Sequence, residues 1–275
     1  MKSVELDKII NHISQIKYRS DRRAALRYYV KKYIEKKDAA VVADLTLYFL
    51  ENEDVLASDL KMAEDAILTF RNPYASLRYS QAVQTDRLAE HEEIVLQANN
   101  SVYSRMFATI DGAAVNKHSK VVLNAKSARE SYMFLVDHPK VDKREHLSVI
   151  VEENDPYFIF EIARELNGVG CKKLENAILK LESPLYSYLY AKEVPGANIV
   201  GHQTVVWFRG TYDETYQFVQ DIEKADMQFY YREFYKQIKR KPTPELADLC
   251  RKVIAIEKER AKHEIQKSQQ EDENI

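Results

Sequence analysis

The sequence predicts an all-α protein: a superhelical solenoid of helical hairpin repeats with a helical cap at each end. Three observations carry that expectation. Glycine and proline are scarce, 6 and 7 in 275 residues, which argues for helix over β-rich or disordered structure. Those few breakers fall on a 28-residue grid: Gly168 and Gly196 are one step apart, Pro156 and Pro184 one step, and Gly112 lies two steps before Gly168. The bulky residues keep the same step, in an aromatic column (Tyr132, Phe160, Tyr188, Tyr216) and a β-branched one (Val122, Ile150, Ile178, Val206). A period shared by the rarest breakers and the core residues marks a repeat array.

Residues 1–57 read as an N-terminal helical cap. Val4, Ile9, Ile10, Ile13 and Ile16 form a helical stripe. Ser20 and Asp21 suit the cap of a second helix, Arg22–Lys37, with Leu26, Tyr29, Val30 and Ile34 on one face. A third, apolar helix follows over Val41–Leu50.

The array spans 58–222. Its clearest unit is Cys171–Ile199. Cys171–Leu181 is a short helix with Leu174, Ile178 and Leu181 on one face. Ser183 caps the next helix and Pro184 takes its first position, where the missing N–H costs nothing. Leu185–Val194 is the second helix, and Gly196 supplies a left-handed stop. Six copies are anchored near Ile67, Val95, Val122, Ile150, Ile178 and Val206, at steps of 28, 27, 28, 28 and 28. Asn72–Pro73, Asp155–Pro156 and Ser183–Pro184 are equivalent cap-and-start pairs. Asp111–Gly112, Asn167–Gly168 and Pro195–Gly196 are equivalent stops, with His138–Pro139 in that place once; Asn100–Ser101 and Arg209–Gly210 are degenerate. The second helix is apolar on two sides, Tyr188 with Ala191 and Tyr186 with Tyr190. It must be covered on both, by its own partner and by the neighbouring hairpin.

Residues 223–275 read as a C-terminal cap and tail. Met227, Tyr230, Tyr231, Phe234 and Ile238 make one stripe over 225–239, and Phe229 and Tyr235 fall off it. Thr243–Pro244–Glu245 starts a long polar helix carrying Leu246, Leu249, Val253 and Ile256. Beyond Gln266 the apolar stripe is gone and fraying is expected.

The formal net charge is −2, so there is no global attraction to nucleic acid or anionic membrane. Residues 1–40 nonetheless hold 11 Lys and Arg against 5 Asp and Glu, while residues 44–65 hold 7 acids against Lys61. The two cysteines, Cys171 and Cys250, match no metal-ligand spacing and suit a reducing compartment. Met1–Asn11 has no apolar signal core, and no stretch approaches the ~18 apolar residues of a membrane span. A cytoplasmic protein is expected.

No catalytic signature appears: no glycine-rich phosphate loop, no Gly-x-Ser-x-Gly, no His-Glu-x-x-His and no Cys-x-x-Cys. The expectation is a non-enzymatic protein that needs no cofactor. His91–Glu92–Glu93 reads as a solvated helix face. His138 and His146 flank a charged loop; a metal site there would need both rings together and a third ligand, and an irregular connection is the favoured reading. Phe229, Tyr231, Tyr235, Tyr186 and Tyr190 are the candidates for a protein-binding surface, since tyrosine has an apolar body and a polar tip. The alternative is nucleic-acid binding through Arg22, Arg23, Arg27 and Lys31, with Lys239 and Arg240 of the 236–241 segment, because lysine and arginine interleave with tyrosine there. Its rival is a solvated basic face paired with the acidic stretch 51–65. A tyrosine-lined small-molecule pocket, and a homo-oligomer through the C-terminal helices, are further expectations.

Lys173–Lys180 (KLENAILK), Ser183–Ile199 (SPLYSYLYAKEVPGANI), and Ala63–Leu68 (AEDAIL) with Asn72–Tyr74 resemble short helix-turn-helix repeats found in proteins of large bacteriophages and some bacteria. The resemblance covers roughly residues 58–222. It implies a phage or bacterial origin and a binding role, with a phage-encoded protein that engages a host or phage protein as the specific expectation. It carries no catalytic residues.

Overall fold

The computed structural model describes residues 4–50, 55–166 and 171–272, without the side chains of 171, 264, 267–269, 271 and 272. The expected Asn167–Gly168 stop and part of the acidic stretch lie outside these residues. The described residues form seventeen α-helices: α1 (Val4–Ser14), α2 (Arg19–Glu35), α3 (Ala39–Leu50), α4 (Ala57–Phe70), α5 (Pro73–Ala82), α6 (Leu88–Gln97), α7 (Ser101–Ala108), α8 (Val115–Asn124), α9 (Ala128–Asp137), α10 (Arg144–Glu153), α11 (Pro156–Glu165), α12 (Cys171–Leu181), α13 (Pro184–Glu193), α14 (Ile199–Arg209), α15 (Tyr212–Asp221), α16 (Met227–Arg240) and α17 (Pro244–Asp272). No strand occurs among them. The protein is all-α, as the composition predicts. No described helix is long and apolar enough to cross a membrane.

One backbone device makes the hairpins. Lys37, Arg71, Asn99, Lys126, Asn154 and Glu182 all adopt left-handed φ, between 49° and 57°. Each is followed by a residue placed to cap the next helix. Asp38 accepts from Val41 N–H at 3.1 Å, Asn72 from Ala75 at 3.0 Å, Asn100 from Tyr103 at 3.0 Å and Asp155 from Tyr157 at 2.9 Å. The left-handed conformation costs a side-chain-bearing residue about 1–2 kcal/mol, and it closes the last turn of the preceding helix. Asn72–Pro73 and Asp155–Pro156 act as the sequence predicts. Ser183 occupies its cap position without a side-chain cap bond. At the degenerate Arg209–Gly210 junction Gly210 is extended, and Thr211 with Glu214 forms a capping box instead. Gly112 and Gly196 take φ of 85° and 77° as stops.

Two boundaries differ from expectation. The second helix begins at Arg19, so Ser20 and Asp21 lie in its first turn rather than capping it. The turn before it is held instead by the Arg22 guanidinium, which donates to the Ile16 and Lys17 carbonyls at 3.1 and 3.3 Å. The last helix continues through Asp272, because lysine, glutamate, glutamine and alanine are strong helix formers even without an apolar stripe.

The chain divides into two compact units, residues 1–146 and 147–275, with the boundary inside α10. Within the first, α3 packs on α5, α5 on α7 and α7 on α9, while α4 packs on α6 and α6 on α8. Within the second, α11 packs on α13 and α13 on α15, while α12 packs on α14. Within each unit these helices thus meet the equivalent helix of the next hairpin, and α4 with α5, α6 with α7, α8 with α9, α12 with α13 and α14 with α15 meet as hairpin partners, as in a helical repeat. The six anchors Ile67, Val95, Val122, Ile150, Ile178 and Val206 are all fully buried, each contributing about 1.5–3 kcal/mol by leaving water.

The ends are closed by aliphatic and aromatic side chains. Leu6, Ile9, Ile10 and Ile13 join Leu26, Val30, Val42, Leu45 and Phe49 against Ile67 and Tyr79 of the first array hairpin. In the second unit Leu246, Leu249 and Val253 of α17 join Trp207, Phe218, Tyr230 and Phe234.

Candidate functional site

Of the five aromatic candidates, Tyr235 alone is fully exposed (62%), one turn from Ile238 (43%) on α16. The Lys239 ammonium lies 4.3 Å from its ring centroid, so the face combines an aromatic, an aliphatic and a cation. The opposite face of the same helix buries Tyr230 and Phe234. Phe229 is half-buried against the C-terminal core and meets Tyr230 edge-on at 5.3 Å. Tyr231 is half-buried and donates its hydroxyl to Glu257 of α17; burial and then that carboxylate push its pKa up to about 12. Tyr186 is half-buried, 6.2 Å from Phe160. Tyr190 is not at the surface at all; it is fully buried, because the second face of its helix meets the next hairpin. Other exposed apolar groups of this unit include Phe208, Val200, Tyr157 and Leu185, the last two one 28-residue step apart at the second positions of α11 and α13.

The basic candidates divide by what holds them. Arg27 donates to Asp59 at 2.7 Å, and Asp59 is itself buried at the start of α4, where it also accepts the Leu56 N–H at 3.4 Å. Basic helix and acidic stretch therefore do meet, at that pair. Arg22 anchors the α1–α2 turn, and Arg23 is half-buried. Lys31 is exposed, as are Lys17, Tyr18, Arg19 and Tyr28 beside it in sequence. Lys239 and Arg240 are exposed at the end of α16.

A third set of residues is positioned by the repeat itself. His91, His118, His146 and His202 are fully buried, so His91 and Glu92 do not form the solvated face expected of them; only Glu93 is exposed. Each imidazole lies against the ring of the preceding hairpin's second helix: Tyr79 at 5.4 Å, Phe107 at 5.3 Å, Phe134 at 5.0 Å and Tyr190 at 4.9 Å. Each also meets a polar group from the preceding hairpin's first helix. His91 Nε2 is 3.3 Å from Glu64, His118 Nε2 3.2 Å from Glu92, His146 Nε2 2.9 Å from Ser119 Oγ, and His202 Nε2 3.4 Å from Glu175.

Two of these carboxylates, and the Gln203 amide one repeat beyond Glu175, dock the next helix start. Glu92 accepts the Ala114 N–H at 2.6 Å, Glu175 accepts the Asn198 N–H at 2.5 Å, and Gln203 accepts the Asp226 N–H at 2.8 Å. Ala114, Asn198 and Asp226 are the residues that open α8, α14 and α16, where free amides and the helix dipole favour an acceptor. Glu64 does the equivalent through the Thr85 hydroxyl.

Ser119 and His146 have the spacing of a nucleophile and its base, but the imidazole is fully buried and burial alone holds its pKa down to about 4. That makes a weak base, and the pair takes the same place as the three acid–histidine junctions. Its geometry is that of a core junction. His138 and His146 both lie against Phe134, at 4.7 and 5.0 Å. No group of three histidine, cysteine, aspartate or glutamate side chains placed to hold a metal occurs among the described residues. The connection between α9 and α10 instead walls a groove of about 830 Å3 with the entry to α8; Ala113, Val115, Pro139 and Val141 line it between Lys117, Lys140, Asp137 and Asp142. No tyrosine lines it.

No known family, curated protein or solved structure matches the chain.

Proposed function

We propose that this chain is a non-enzymatic protein-binding scaffold of the helical-solenoid type, in its specific form a phage-encoded cytoplasmic protein that engages a host or phage protein. The stacking of equivalent helices within each unit supports the array, since such arrays spend their core on neighbouring hairpins and offer extended surfaces to partners. The single observation that carries the binding role is the exposed Tyr235–Ile238 face of α16. An aromatic and an aliphatic side chain stand in water there while Tyr230 and Phe234 satisfy the core behind them. Aromatic anchors of this kind dominate protein interfaces. The test is mass spectrometry of proteins co-purifying from bacterial lysate with the intact chain and with Tyr235→Ala/Ile238→Ala. A protein retained by the first and lost from the second supports the reading; identical captures overturn it.

A second reading, nucleic-acid binding, is favoured by the exposed Lys17, Tyr18, Arg19, Tyr28 and Lys31 of the first unit. It requires binding that weakens steeply with salt and is lost in Lys17→Glu/Lys31→Glu. Arg22 and Arg27 are unsuitable for that test, because they hold the turn before α2 and the start of α4.

A further inference from the structure

The buried histidines carry a cost that the binding role does not explain. In His91, His118, His146 and His202 the Nδ1 atom is buried with no hydrogen-bond partner among the described residues. A carboxylate beside Nε2 makes that nitrogen the proton-bearing one in His91 and His118. A second proton must then go to Nδ1, in a buried site with no acceptor among the described residues, and a buried cation without a partner is strongly disfavoured.

The surroundings are sparse in charge. His91 faces Glu64 on α4, with Arg87 and Glu90 near its own helix start. His118 faces Glu92 on α6, with Lys117 and His138 further off. His202 faces Glu175 on α12. His146 meets the Ser119 hydroxyl and the Phe134 ring, with no charged partner among the described residues. A buried serine or threonine column runs alongside: Ser76, Ser104, Ser131, Ser187 and Thr215, each with its hydroxyl unpartnered among the described residues.

One junction lacks all of this. One 28-residue step beyond Ser119, Ser131, Phe134 and His146 stand Leu147, Ile159, Ile162 and Leu174, all buried. The polar and aromatic positions are thus replaced together by aliphatic ones. The array can evidently be joined without histidine.

We propose that the four histidine junctions are proton-sensitive couplings, which loosen one hairpin from the next on acidification while the aliphatic junction at Ile162 and Leu174 holds. The energetics have the right sign. Burial lowers the pKa of His91, His118 and His202 even against their carboxylates, and brings His146 to about 4. A group whose folded pKa is depressed this way resists protonation. The junction is therefore intact above the ordinary histidine range and loses stability as pH falls from about 6.5 towards 4.

The test is hydrogen exchange of the full chain between pH 7.5 and 4.5, corrected for intrinsic rates. Protection should fall first in α5–α8 and α13–α14 and last at the α11–α12 contact. The double substitution Ser119→Leu/His146→Leu copies the native Leu147 and Leu174 pair. It should move the acid midpoint of α8–α10 down by roughly half a pH unit or more. An unchanged midpoint, or simultaneous loss at α11–α12, overturns the proposal. Should the double variant not fold at pH 7.5, the titration of the four imidazole Cε1–H signals in the native chain decides. Values below about 6 support it, and values at or above that overturn it.

Discussion

Replacing Glu92 with alanine breaks one junction while leaving the aliphatic core of both flanking hairpins in place. The Glu92 carboxylate is 8% exposed, accepts the Ala114 N–H at 2.6 Å and lies 3.2 Å from His118 Nε2. Truncation leaves a backbone amide and an imidazole N–H facing a void. Each buried donor without an acceptor costs about 1–3 kcal/mol, so the junction should lose about 3–5 kcal/mol. Glutamine keeps an oxygen towards both donors and should cost about 1 kcal/mol, the difference between a charge-assisted and a neutral bond. A chain of stacked hairpins need not unfold in one step, so the loss is read locally, by native-state hydrogen exchange of the α6–α8 amides. The opening free energy there should drop by the stated amounts, with the 147–275 unit unchanged. A cost below about 1 kcal/mol for Glu92→Ala, or a glutamine variant as damaged as alanine, would refute the reasoning.

Four further outcomes follow from the same structure. Ile178→Ala removes a fully buried anchor and should cost about 2–5 kcal/mol by urea denaturation. Arg260 reaches back from α17 to the carbonyls of Val219, Ile222 and Glu223 at the end of α15, so Arg260→Ala should raise exchange in α15 and cost about 1–3 kcal/mol. Asp221 is held down to about 2 by Lys192 first and then by the Tyr188 hydroxyl. Its contribution is therefore complete above the ordinary carboxylate range and is lost as pH falls towards 2; in Lys192→Met the carboxyl resonance should titrate at higher pH. Tyr235→Ala/Ile238→Ala removes no core contact, and its melting temperature should match the parent within the change expected for about 0.5 kcal/mol.

The fold was legible because a hairpin repeat depends on residues whose physics is local. Asn72–Pro73 and Asp155–Pro156 start helices wherever they stand, and Gly112 and Gly196 take the left-handed stop that glycine favours. Ile67 through Val206 repeat because every hairpin needs the same buried side chain. The histidine junctions escaped because histidine and glutamate are usually solvated, and burial of a polar pair is a property of two segments 26–27 residues apart. The signal was nevertheless present: His91, His118, His146 and His202 recur at 27, 28 and 56 residues, and Glu92, Ser119 and Gln203 directly follow three of them. Tyr190 is hidden for a related reason: a tyrosine suits a surface, and only the Phe107 and Phe134 that occupy its place in other hairpins mark the position as core. The helical end of α17 escaped for the opposite reason: it is carried by propensity, with no apolar stripe to announce it.

The most direct test of the binding role asks which side chain touches the partner. A photo-crosslinking amino acid at position 235 is compared with the same group at position 31 and at the half-buried position 186, in lysate. The account predicts one protein crosslinked from position 235 and competed away by the uncrosslinked parent chain but not by Tyr235→Ala/Ile238→Ala. Crosslinking confined to position 31, with nucleic acid in the product, would contradict it.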